Sequence, residues 1–262
     1  MILRVGWINF INTLPFDFEL FNSYQDIKKI YGTPAEINKL LNQCKVDIGL
    51  VSSAEYIENF EKYLILPNLS ISSFKKVYSV GIFSNKPLED ENIIYLSRKS
   101  KTSRLLTKVL VKLVFNKDIE YRDLEEYKDI DKKTVLLIGD NALKFSKKFK
   151  YIYDLSELWY RKTNLPFVFA LWCVNREFYE KNKKEILFFY KLLKETKEKF
   201  FKDINTLIKP IDDIPKEYIK FYLKNLDYAL TDKHIKSLKL FSEYLLQLGI
   251  IKDKPEFSFI EV

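Results

Sequence analysis

The 262-residue chain is poor in glycine, cysteine, histidine and arginine. Its 6 glycines are scattered, no two of them near neighbours. A Rossmann fingerprint and a Walker phosphate loop both need closely spaced glycines, so both are excluded. Two cysteines, Cys44 and Cys173, and a single histidine, His234, are too few for a zinc site at any standard spacing. No metal and no cofactor is expected. A nucleophilic triad would have to use His234, which follows Thr231-Asp232-Lys233 in what reads as the solvent-exposed start of a late helix. The longest stretch without a charge, 163–175, has thirteen residues, and a membrane-spanning helix needs about 20. The N-terminus shows no charged segment leading into a long apolar run, so no secretion signal is read. A soluble, cytoplasmic protein is expected.

Charge of one sign is plentiful but diffuse. Lysine and arginine together number 44 against 36 acids, a net +8, yet only six of the cations are arginine. Nucleic-acid readers concentrate charge in a stripe and rely on arginine, so neither nucleic acid nor membrane is expected as a partner. The even positive field would steer a small anion inward, although keeping the surface soluble is the simpler account of the lysines. At 47% hydrophobic and 31% charged the chain can build a packed core. Its length suits one large domain or two lobes.

The first third alternates strand and helix. Residues 2–8 read as a buried strand, with a helix expected after Asn12-Thr13-Leu14-Pro15. A strand near 27–31 leads to Thr33-Pro34-Ala35-Glu36, a capping box with proline at the first helical position. Residues 46–51 form the next strand and run into Ser52-Ser53. The middle third repeats the pattern, with strands at 92–96, 134–138 and 151–153 and helices after Ser103 and Ser156. From Glu177 on the period is helical, interrupted at 212–215. Two further buried strands, at 77–83 and 166–174, read as the connections between two lobes. Lobe 1 is expected to comprise 1–80 and 175–262, and lobe 2 to comprise 81–174. Two crossings of this kind leave a cleft that can close on a ligand.

In open α/β sheets ligands sit at the carboxyl ends of strands. The groups there are Asn9 and Asn12, Ser52 and Ser53, the segment from Ser100 to Ser103, and Gly139-Asp140. The Ser100–Ser103 segment precedes a helix whose first amides are free to meet an anion, though Ser100 or Thr102 could simply cap that helix. Ser52-Ser53 carries the same ambiguity. Asn12 lies in an apolar context, so its amide either ties the backbone turn or faces a ligand. Asp140 reads as a helix cap or, less simply, as a base.

Several stretches in order resemble the chorismate dehydratases of the futalosine route to menaquinone. They include Arg4-Val5-Gly6 through Pro15, Gly32-Thr33-Pro34-Ala35-Glu36-Ile37-Asn38, and Asp47 through Ser52-Ser53-Ala54-Glu55-Tyr56. Leu66-Pro67-Asn68-Leu69-Ser70-Ile71-Ser72, Leu137-Ile138-Gly139-Asp140, Tyr153-Asp154-Leu155 through Trp159, and Leu165-Pro166-Phe167 through Trp172 complete the set. The likeness runs from about residue 2 to 176. It implies an α/β, two-lobed fold like the periplasmic binding proteins of the second type, with a helical C-terminal segment. It implies a carbon–oxygen lyase that takes the dianion chorismate to 3-[(1-carboxyvinyl)oxy]benzoate and water. By resemblance Asn12 and a serine, Ser79 or else Ser72, are active-site residues. Analogy with the sister enzyme that makes 1,4-dihydroxy-6-naphthoate puts Ser52, Ser53, Thr102 and Ser103 against the substrate. Asp140 or the substrate's own enolpyruvyl carboxylate is the base. The sister carries a histidine in its second lobe where this chain has Ile138-Gly139-Asp140, which favours the dehydratase. A non-catalytic solute receptor of the same fold is the other alternative. A homodimer is compatible with this reading.

Overall fold

The computed structural model describes residues 2–211 and 214–262. In the first lobe β1 (Leu3–Trp7) is followed by two turns of 3-10 helix, Ile11–Phe16 and Phe18–Leu20. The proline-marked helix expected here is therefore a tighter turn. Pro15 sits inside it without an amide to donate, and no side chain caps its start. Then come β2 (Ile27–Tyr31), α1 (Pro34–Asn42), β3 (Ile48–Ser52), α2 (Ser53–Glu58) and the long β4 (Tyr63–Ser73). The capping box forms: Thr33 N donates to Glu36 Oε2 at 2.7 Å, and Glu36 N donates back to Thr33 Oγ1. α1 lies so close to the sheet that a Cβ on Gly6 would come within 2.8 Å of Ile37 Cγ2.

The chain crosses into a second sheet through β5 (Val80–Ser84), β6 (Ile93–Ser97), α3 (Lys101–Phe115) and β7 (Glu120–Leu124). β8 (Val135–Ile138), α4 (Asp140–Phe145), β9 (Tyr151–Asp154) and α5 (Leu155–Thr163) complete that lobe. β10 (Phe167–Asn175) returns, and α6 (Arg176–Lys181), α7 (Lys183–Lys202), α8 (Ile204–Leu207), α9 (Lys216–Asn225) and α10 (Asp232–Gln247) follow. The interruption expected at 212–215 falls partly on 212 and 213, which lie outside the described residues.

The two sheets have five strands each, in the orders β2-β1-β3-β10-β4 and β7-β6-β8-β5-β9. In each, three parallel strands are followed by one antiparallel strand, and that strand is the one by which the chain changes lobes. β10 pairs with β3 and β4, so the strand at 166–174, assigned to lobe 2 from the sequence, is built into the first sheet. The reason is hydrophobic: it is buried on both sides, and its Trp172 ring packs on Trp7, Phe16 and Phe189. One hydrophobic cluster runs through both lobes, from Val5 and Leu50 through Ile82 and Leu136 to Phe189 and Phe241. α10 packs on β10 and on α3, bridging the lobes.

Candidate active site

The carboxyl ends of the parallel strands of both sheets face one another across a cavity. It holds about 590 Å³ of empty space, part of it open to solvent. The loop after β1 contributes Ile8, Phe10 and Asn12, β3 contributes Ser52, and the start of α3 contributes Ser100 and Ser103. Ile138 and Gly139 close the far end of β8, while Val77, Ser79 and Phe169 come from the two connections between lobes. Among the described residues, no acidic, basic or histidine side chain is part of the lining.

The loop after β1 is tied by Thr13, whose Oγ1 bonds to the carbonyls of Ile8 (2.8 Å) and Phe10 (2.7 Å). Asn12 is thereby released from turn-making. It lines the cavity, and its buried Oδ1 has no partner in the protein. A buried acceptor left unpaired is costly, and this one belongs to a residue of the cavity wall.

Ser52 caps α2. Its Oγ accepts from Asn38 Nδ2 at 3.0 Å, and its amide donates to Asn38 Oδ1 at 3.2 Å. Ser100 caps α3 by accepting from the Ser103 amide, and the two hydroxyls lie 2.9 Å apart at the cavity edge. Two of the four expected contact residues are elsewhere. Ser53 is fully buried and donates to the Val168 carbonyl at 2.7 Å. Thr102 is also fully buried; its Oγ1 accepts from the Ala54 amide at 2.8 Å, joining the start of α3 in one lobe to α2 in the other.

Ser79, and not Ser72, lines the cavity. Ser72 donates to the Asp227 carbonyl, in line with the sheet. Ser79 follows a tight turn in which its own amide donates to the Val77 carbonyl at 2.7 Å across Tyr78, at φ +63°. A three-residue turn of this hand is rare and strained. The surroundings hold it. Asp154 accepts from the amides of Val77 (3.2 Å) and Tyr78 (2.8 Å), and the Ser79 carbonyl accepts from Gly139 at 2.7 Å. Asp154 also caps α5 through the amides of Ser156 and Glu157. Burial pushes its carboxyl up to about 6, while the amides of Tyr78, Glu157 and Val77 pull the other way.

Gly139 has φ +59° and ψ −144°, which only glycine adopts without strain, and it sits in contact with the Phe10 ring. Gly139 rather than Asp140 is the cap of α4. Asp140 is the first helical residue, half-buried, and is absent from the cavity lining. Its carboxylate is close enough to Tyr222 to disfavour ionisation of that phenol. Tyr222, on α9, was missed from sequence. It is buried with its hydroxyl 2.7 Å from Ser79 Oγ. Its signal was its place in the apolar stripe Ile219, Tyr222, Leu223, since a buried tyrosine hydroxyl needs a partner.

His234, expected at the surface, is fully buried. It packs edge-on against Phe74 and stands beside Asp227, outside the cavity lining. Among the described residues no helix is long and apolar enough to cross a membrane.

A family model described as menaquinone biosynthesis matches residues 3–247. The chain belongs to that family. A Thermus thermophilus protein named chorismate dehydratase is 32% identical over 193 residues, covering 66% of this chain and 70% of that one. A Campylobacter jejuni protein of the same name is 33% identical over 183 residues, covering 66% and 68%. Among solved structures, a Candida albicans protein described as having the generic periplasmic binding protein fold superposes with a TM-score of 0.72. It shares 10% identity, with 100% of this chain and 98% of that one covered. The periplasmic aliphatic sulphonate binding protein of Escherichia coli gives 0.67 at 13% identity, covering 97% and 95%. At such identities the likeness concerns the fold, which is the two-lobed periplasmic-binding-protein architecture with a helical C-terminal segment.

Proposed function

We propose that the protein is a chorismate dehydratase, a hydro-lyase that removes water from chorismate to give 3-[(1-carboxyvinyl)oxy]benzoate. The observation that carries this reading is the membership in the menaquinone family together with two relatives of that name at about one-third identity. The cavity suits the chemistry. Chorismate is a dianion whose ring needs only the loss of the C3 hydrogen and the C4 hydroxyl to become aromatic. The C3–H and C4–O bonds break, a C3–C4 double bond forms, and proton and hydroxide leave as water. The C3 hydrogen is vinylogous to the ring carboxylate, so charge released at C3 spreads into that group. The first turn of α3, with Ser103 and Ser52, offers neutral donors to it. The apolar walls, Phe10, Ile71, Val80 and Phe169, keep water away and strengthen those bonds.

Asn12 and Ser79 face the reacting bonds in this reading, with Ser79 donating to the departing hydroxyl. The lining holds no titratable side chain, which supports the substrate's own enolpyruvyl carboxylate as the base that takes the C3 proton. Asp140 stands outside the wall. The test is to incubate purified protein with chorismate and follow the benzoate product by chromatography and mass spectrometry. An intact substrate after prolonged incubation would refute the reading. Asp140→Asn separates the bases: a rate within about threefold of the wild type supports the substrate carboxylate, and loss of turnover without loss of binding assigns the step to Asp140.

A further inference from the structure

The Ser79 hydroxyl is fixed from two sides. Its backbone belongs to the strained turn clamped by Asp154 and Gly139. Strain of this kind persists only where the surroundings over-determine it. Its side chain meets Tyr222 Oη at 2.7 Å, and both residues are buried. Tyr222 comes from α9, a helix outside both sheets that packs on the 3-10 turn carrying Asn12. Burial above all pushes the Tyr222 phenol far up. The bond with Ser79 favours its ionised form, and the nearby Asp140 carboxylate opposes ionisation again. The phenol therefore keeps its hydrogen wherever the protein is folded.

The hydrogen bond between the two hydroxyls can run either way. Asn12, on the 3-10 turn against which α9 packs, has its Oδ1 unpaired. Tyr222 has one hydrogen, and Ser79 Oγ is placed to accept it. Ser79 then has its own hydrogen free to turn into the cavity that it lines. We propose that Tyr222 is a positioning residue for the dehydration: its hydroxyl donates to Ser79 Oγ and so aims the Ser79 hydrogen at the hydroxyl leaving the substrate. This role rests on the dehydratase reading.

A double-mutant cycle tests it, with kcat and KM for chorismate measured on the wild type, Tyr222→Phe, Ser79→Ala and the double variant. Tyr222→Phe keeps the ring and removes one oxygen. It should lower kcat about 10- to 100-fold and leave KM within about threefold, because the bond acts on the leaving group and not on the resting substrate. In the Ser79→Ala background the same change should cost less than about threefold, since Tyr222 works through Ser79. Tyr228→Phe is the control. Tyr228 is a neighbouring buried tyrosine whose hydroxyl has no partner, and removing it should leave kcat unchanged. The role is refuted if Tyr222→Phe turns over at the wild-type rate, if the losses multiply in the double variant, or if Tyr228→Phe loses as much. A wild type that leaves chorismate intact refutes the dehydratase reading itself and takes this role with it.

Discussion

The His234 ring accepts from the Thr231 amide through Nδ1 at 3.1 Å, so its hydrogen sits on Nε2, which lies 3.2 Å from Asp227 Oδ2. Burial by itself would raise the Asp227 carboxyl; the His234 ring 3.2 Å away and the Ala229 amide bring it below its ordinary value of 3.8. The depressed value means stability that is present above about pH 4 and lost as the pH falls through the folded value. Urea denaturation of Asp227→Asn should therefore show a deficit against the wild type that is constant near neutrality and closes in acid. A deficit independent of pH down to acid unfolding would refute this. His234→Ala should lower stability by about 1–3 kcal/mol, as for other buried polar groups that leave a partner unsatisfied. Turnover of chorismate by the folded variant should stay within about threefold of the wild type, because the ring does not reach the cavity. Sequence placed His234 at the right point of the right helix and on the wrong side of the surface. Its polar neighbours Asp232 and Lys233 are exposed, but the first turn of a helix has one inward face, and position 234 is on it. Asn12 was legible for the opposite reason: an amide in an apolar loop stands out wherever it points.

At the scale of elements, the strand ends at the cavity were readable because β1, β3, β6 and β8 are short, mostly apolar runs stopped by serine, asparagine or glycine. The capping box of α1 was readable in full. What local pattern could not show is that two of the hydroxyls serve the fold. Ser53 and Thr102 have the same neighbours in sequence as Ser52 and Ser103, and helix phase alone turns one of each pair inward. β7, with Glu120, Arg122 and Asp123 exposed, is a strand without an apolar run, held by pairing to β6. The connection from β4 to β5 was also opaque, because its strained turn is held by Asp154, far along the chain. Asp154 offers four amides a carboxylate. Asp154→Asn replaces one accepting oxygen by a donor that faces amide hydrogens. It should lower stability by about 1–3 kcal/mol. Because the turn that presents Ser79 loosens, kcat should fall about tenfold with a smaller change in KM. An unchanged kcat in a folded Asp154→Asn protein would show that the clamp serves the fold alone.

For the molecule as a whole, the two lobes repeat one strand order and share one hydrophobic cluster. The chain passes between the lobes at the entries to β5 and β10, where a closing motion would turn, while the shared core limits how far the lobes can part. The contacts across the mouth are few and polar. Thr102 accepts from the Ala54 amide, and Lys101 pairs with Glu58 and, at 3.6 Å, with Glu55. The ion pairs are partly exposed and worth little each, so the buried Thr102 bond carries more of the closed state. Thr102→Val keeps the shape and deletes the acceptor, leaving the Ala54 amide unpaired only when the lobes are closed. A neutral bond is worth about 0.5–1.5 kcal/mol net, so closure should weaken by about two- to tenfold. Substrate binding draws on that closure, so KM for chorismate should rise by the same factor, while kcat, which is read from the closed complex, should hold. Small-angle scattering of the ligand-free variant should show a larger radius of gyration than the wild type, and saturating product should bring the two together. If kcat falls and KM holds, Thr102 acts on the reacting substrate after all, and the contact between α2 and α3 is part of the catalytic machinery and not a latch between lobes.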